Sequence, residues 1–81
     1  AGQLKGIWCA AFNDEGCNAF TVAWEGGNIV MTGAWESRGV RRLWREVFSV
    51  DSDRSFTQTL WVAEPGQGLR QVSLVRGLRL K

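Results

Sequence analysis

The dipeptide Gly26-Gly27 restricts this 81-residue chain more than any other feature. Two adjacent glycines between Phe20-Thr21-Val22-Ala23-Trp24 and Ile29-Val30-Met31-Thr32 form a two-residue hairpin loop of the kind that needs positive φ at both positions. Such a loop sets the register of the strands it joins. Trp24 then faces Ile29, Val22 faces Met31, Phe20 faces Gly33 and Asn18 faces Trp35. One side of the hairpin is almost wholly apolar, and the other carries Thr21 opposite Thr32, Ala23 opposite Val30 and Glu25 opposite Asn28.

The same punctuation recurs along the chain. Asn13-Asp14-Glu15-Gly16, Ser37-Arg38-Gly39, Asp51-Ser52-Asp53 and Pro65-Gly66-Gln67-Gly68 separate segments rich in Val, Ile, Thr, Phe and Trp. This pattern predicts strands near residues 3–12, 17–25, 28–36, 40–50, 55–64 and 69–79. The expected fold is all-β: a six-stranded antiparallel up-and-down meander, curled into a small or partial barrel, in a single domain of residues 1–81. A three-residue loop, Asp14-Glu15-Gly16, places Trp8 beside Val22, Ala10 beside Phe20 and Gly6 beside Trp24, on the apolar side defined by the second hairpin. Residues 38–50 carry a competing signal, because Val40, Leu43, Trp44, Val47 and Phe48 also fit the stripe of an amphipathic helix. The strand is preferred, since it sets Trp44 over Gly33, Phe48 beside Ile29 and Glu36 beside Arg41, and a large ring over a strand glycine is a stabilising pair.

In that first-hairpin register Asn13 faces Cys17 and Cys9 faces Thr21. The sulfurs are then roughly 13 Å apart along a strand, beyond disulfide reach. Two free thiols are expected, which slightly favours a cytoplasmic setting, and no signal peptide is visible.

Histidine is absent, which removes imidazole as a base, a proton switch or a metal ligand. No apolar run reaches the roughly 18 residues of a membrane-spanning helix. The net charge of +2 conceals an asymmetry: residues 1–37 carry Lys5 against Asp14, Glu15, Glu25 and Glu36, whereas all eight arginines lie beyond residue 37. A chain this short buries only about 60% of its unfolded surface. Open edges and a small core together favour a homodimer.

On the strand reading, Arg42 and Glu46 share the inward side with Trp44 and Phe48. Gln58 does the same among Phe56, Leu60 and Val62, and Asn18 ends the second strand. Buried polar groups cost about 1–3 kcal/mol each when unpaired. Either Arg42 and Glu46 form an ion pair, or the interior is open and wet. In the second case Trp8, Trp24, Trp35 and Trp44 line a pocket in which Arg42, Glu46 and Gln58 orient the polar end of a small ligand. No motif supplies a metal site, a cofactor site or a catalytic constellation.

The run Trp35-Glu36, Arg41, Trp44-Arg45-Glu46, then Ser55-Phe56-Thr57-Gln58-Thr59, a glycine turn and Val72 to Arg79 resembles the C-terminal meander of bacterial lipocalin-like domains of unknown function, within the calycin group of β-barrels. The similarity spans roughly residues 20–80, and Gly6-Ile7-Trp8 is a partial echo of the N-terminal Gly-x-Trp of lipocalins. The resemblance implies an apolar central cavity for a small hydrophobic ligand. The chain has about half the length of a complete barrel, which implies a cavity completed by two copies. It does not carry over haem, for which relatives use a histidine. The expected function is therefore non-catalytic binding of a small, largely apolar molecule. Two others are weighed against it: an interaction module for protein or single-stranded nucleic acid, built on Arg38, Arg41, Arg42, Arg45, Arg70, Arg76, Arg79 and Lys81, and a small isomerase or cyclase using Glu46 and Arg42.

Overall fold

The computed structural model describes residues 4–79. Six strands run in chain order: β1 (Leu4–Cys9), β2 (Cys17–Glu25), β3 (Asn28–Ser37), β4 (Val40–Ser52), β5 (Ser55–Ala63) and β6 (Arg70–Leu78). Each pairs antiparallel with the next in one sheet of order β1-β2-β3-β4-β5-β6, and the sheet does not close into a barrel. The expected meander is present, and residues 40–52 are strand rather than helix. The expected strand start at residue 3 lies outside the described residues, and β1 stops at Cys9 instead of continuing to residue 12.

The two central hairpins have the anticipated register. Gly26 and Gly27 take φ of 57° and 86°, and Val22 pairs with Met31 and Trp24 with Ile29. Arg38 and Gly39, with φ of 54° and 76°, form a second two-residue turn of positive φ. It aligns Ile29 with Phe48, Gly33 with Trp44 and Glu36 with Arg41. An arginine at positive φ is uncommon. Here Asp14 supports it, its carboxylate accepting hydrogen bonds from Arg38 N at 3.1 Å and Gly39 N at 2.8 Å.

The first hairpin differs from its expected form. Cys9 pairs with Cys17, Trp8 with Asn18, Gly6 with Phe20 and Leu4 with Val22, so residues 10–16 form one long loop. The cysteines are joined by a disulfide. The expectation of two free thiols is wrong, and the argument for a reducing compartment that rested on it falls with it. The cause is non-local. Asn13 is only 5% exposed and acts as a hub: its Oδ1 accepts from Glu15 N at 3.2 Å and Glu36 N at 3.4 Å, and its Nδ2 donates to Asn18 Oδ1. Asp14 N donates to the Glu36 carbonyl at 2.6 Å. The loop thus satisfies backbone groups at the β3–β4 turn, which a tight three-residue loop would leave to solvent.

Pairing parity decides which side chains share a face. The change in β1–β2 register is even, so Gly6 and Trp8 stay on the side of Phe20 and Val22 despite new partners. Between β4 and β5 the pairing shifts at Asp51, from Ser52 opposite Ser55 to Val50 opposite Phe56. This bulge brings Phe56, Gln58, Leu60 and Val62 to the side of Trp44, Glu46 and Phe48. Three ring-on-glycine pairs anchor that face: Phe20 over Gly6, Trp44 over Gly33 and Phe56 over Gly77. Phe56 also stacks on Phe48, with centroids 4.9 Å apart.

No second layer covers the sheet among the described residues. Among the described residues only Val30 and Ala63 are apolar and buried, at 5% and 6% exposure. Both lie on the side opposite the ring cluster, as partners of Val47 and Leu43.

Candidate functional site

The tryptophan face curls into a concavity. Flat strands β1 and β4 would stand about 14 Å apart, three interstrand spacings. Yet the rings of Trp8 on β1 and Trp44 on β4 have centroids only 6.3 Å apart, a gap narrowed because Trp44 lies over Gly33 on β3, one strand nearer to β1. Trp8 also meets Trp35 at 6.4 Å, and Phe12 from the long loop meets Trp8 at 6.1 Å and Trp35 at 6.5 Å. The planes of Trp8 and Trp35 cross at 77°, and those of Trp8 and Trp44 at 86°. Such edge-to-face pairs add roughly 0.5–1.5 kcal/mol each beyond area burial.

These rings, together with Phe20, Met31, Glu46, Leu60 and Val62, line a cavity of about 490 Å³. That volume lies within the usual range of small-molecule pockets, roughly 300–1,000 Å³. The indole Nε1 atoms of Trp8 and Trp44 are buried with no acceptor among the described residues. Each orphan donor costs about 1–3 kcal/mol. Burying a tryptophan, at 150–250 Å² and about 25 cal/mol/Å², returns roughly 4–6 kcal/mol. Ring burial therefore outweighs the lost hydrogen bond, and Trp44 stays flat on Gly33, its Nε1 held 2.9 Å from where a Cβ would stand.

Of the residues the sequence singles out, Trp8, Trp35, Trp44 and Glu46 line this cavity. Trp24 does not. It pairs with Ile29 beside the Gly26-Gly27 turn of the β2–β3 hairpin and is 66% exposed. Gln58 touches the site through Glu46, its Nε2 donating to Glu46 Oε2. Arg42, the cross-strand partner of Trp35, does not pair with Glu46. Its Nε donates to both carboxylate oxygens of Glu64, at 3.0 and 2.9 Å. The expected Arg42–Glu46 ion pair is thus replaced by two separate pairs, since residues four apart on one strand lie about 13 Å apart along it. Asn18, also expected to face inward, is held at the loop by Asn13 and by Glu15, whose Oε1 accepts from Asn18 Nδ2 at 2.9 Å.

Phe12, Phe20, Met31, Leu60 and Val62 complete the lining, and Glu64 completes the Arg42 pair. The parity of the strands already holds the signal for Met31, Leu60, Val62 and Glu64. Phe12 has no such signal, because it reaches the site from the loop.

A second hollow, of about 560 Å³, is lined in part by Lys5, Thr21, Thr32, Arg41 and Arg45. Arg41 pairs with Glu15 at 3.9 Å and Arg45 with Glu25 at 3.4 Å. With Arg42, three of the arginines expected to form a basic stripe are therefore countered by carboxylates. Lys81 lies outside the described residues. Among the described residues, no three His, Cys, Asp or Glu side chains converge as a metal site would require, and no helix is long and apolar enough to cross a membrane. Comparison with family models, with curated proteins and with solved structures gives no match to this chain.

Proposed function

We propose that this chain is a non-catalytic binding domain whose concavity, walled by Trp8, Trp35 and Trp44, holds a small, largely apolar ligand. The observation that carries this is the conjunction of a cavity of about 490 Å³ with a lining of five aromatic rings, Met31, Leu60, Val62 and a single carboxylate. Apolar walls with few polar groups are what a small-molecule site requires. The lipocalin-like resemblance agrees, since an up-and-down antiparallel sheet with its apolar side turned inward is the frame such domains use.

A second copy belongs to the same proposal. β1 and β6 each have one strand neighbour among the described residues, and both expose apolar side chains, Leu4 and Ile7 on β1 and Val72, Leu74 and Leu78 on β6. Exposed apolar edges of this kind favour strand association, and a dimer built on them extends the wall of the cavity.

The test is titration of the protein with phenylnaphthylamine, a neutral apolar fluorophore, followed by quenching of tryptophan emission, with native mass recorded on the same sample. Saturable quenching that barely changes with salt is expected. A linear, unsaturable response overturns the binding proposal. A monomer at all concentrations overturns its dimeric part alone.

A further inference from the structure

We propose that the ligand of the tryptophan-walled concavity is a cation: an apolar body bearing a tertiary or quaternary alkylammonium group. This rests on the concavity being a binding site and names what it selects. Glu46 is the one charged residue in the lining. Its partner is Gln58, a neutral amide, and among the described residues no arginine or lysine pairs with it. Arg42, the arginine on the same face of β4, is engaged by Glu64 at 2.9 Å, and the adjacent Arg45, on the other face, pairs with Glu25. Among the described residues, then, no cation counters the one carboxyl group of the cavity.

A carboxylate held among apolar groups is costly unless a counter-charge meets it. The rings around it favour the same sign of ligand. Each indole and phenyl face carries negative π density, which attracts a cation within about 6 Å of the centroid. Trp8 stands at 77° to Trp35 and at 86° to Trp44, so aromatic surface bounds the cavity on walls of different orientation. A methylated ammonium suits such walls better than a primary amine, since its charge is spread over methyl groups that pack on rings and it asks for no hydrogen bonds beyond the single carboxylate. An anionic ligand would meet Glu46 and the ring faces as like charges.

The experiment compares benzyltrimethylammonium with neopentylbenzene, which has the same shape with carbon in place of nitrogen, by tryptophan quenching on the full chain and on Glu46→Gln. The cation is expected to bind the wild type at least about tenfold more tightly than its neutral isostere. In Glu46→Gln that ratio is expected to fall to within about threefold. The isostere comparison on the wild type stands even if the variant does not fold. Equal or tighter binding of neopentylbenzene overturns the inference and leaves the binding proposal intact. So does saturable binding of phenylnaphthylamine with no binding of the ammonium. A ratio that survives in Glu46→Gln overturns the role of Glu46 as counter-charge and assigns the cation preference to the rings. Failure of all three probes overturns both.

Discussion

Removal of the Cys9–Cys17 bond tests how the long loop is held. The bond joins directly paired residues eight apart in sequence. Both side chains are exposed, so replacing them with alanine removes little packing. The native loop also keeps its other ties: the Asn13 hub, and Asp14 on Arg38 N and Gly39 N. The main loss is then the restriction of the unfolded chain. For a closed loop of this length, chain-entropy arithmetic gives about 2.5 kcal/mol. A domain of this size shifts its Tm by roughly 4–8 °C per kcal/mol, so Cys9→Ala/Cys17→Ala should melt about 10–20 °C below the oxidised protein. Reduced wild-type protein should melt close to the double variant. The assay is a thermal melt followed by tryptophan emission and, separately, by far-ultraviolet circular dichroism, whose coincidence checks that unfolding is two-state. A double variant melting within about 3 °C of the oxidised wild type would refute the reasoning, because the unfolded chain would then already hold the β1–β2 hairpin closed.

Gly77→Ala places a Cβ 2.0 Å from Phe56 Cε1 and must push the ring off its stack with Phe48; a net loss of about 1–2 kcal/mol is expected from overpacking, read as a lower urea midpoint at unchanged slope. Gly68→Ala is its control, since nothing lies within 4 Å of that Cβ, and it should leave stability unchanged or raise it by about 0.5 kcal/mol. Asp14→Ala removes the acceptor for two backbone donors of the Arg38-Gly39 turn, with an expected cost of about 1–2 kcal/mol and faster amide exchange at Arg38 and Gly39 than at Val30. Asp14→Asn should recover part of both effects.

How much was legible in the sequence depended on how local each determinant is. Gly26-Gly27 and Arg38-Gly39 encode their turns within two residues, and the β2–β3–β4 register followed from them, including Trp44 over Gly33. Gly16 is equally suggestive, and it does take a φ of 77°, but the loop around it is set by Asn13 and Asp14 reaching Glu36, Arg38 and Gly39, more than twenty residues away in sequence. Local turn chemistry has no access to that contact. The resulting error was even in register, so it kept Trp8 on the correct face and still misplaced Cys9 opposite Thr21. In the candidate site, Trp8, Trp35, Trp44 and Glu46 were found by face parity. Trp24 satisfied the same parity and failed, because parity assigns a side of the sheet and says nothing of whether anything lies across it. The partner of Arg42 was within reach of the same parity, which puts Glu64 on the side of Gln58, Leu60 and Val62; what parity does not give is which of two same-side carboxylates, Glu46 or Glu64, the arginine takes.

Much of the ring packing on the concave side also lines the candidate cavity, and this governs what any experiment on the site can mean. In a two-layer β domain the rings of the inner face are covered by another sheet, and a pocket is an extra feature beside that core. Here the rings over Gly6, Gly33 and Gly77 are the principal apolar packing on the concave side, and two of them, Phe20 and Trp44, also wall the cavity together with Trp8. Truncating Trp44 to alanine removes contact with Trp8, Phe20 and Gly33 at once, a loss in the range of 3–5 kcal/mol for a well-packed ring. Such a variant would lose binding whether or not Trp44 ever touches a ligand, because the wall itself would relax. Glu46 is different in kind: it contributes no ring to the packing, and its one side-chain partner among the described residues is the amide of Gln58. A change confined to that carboxylate, read as a preference between two ligands of equal shape, therefore isolates recognition from folding where the tryptophans cannot.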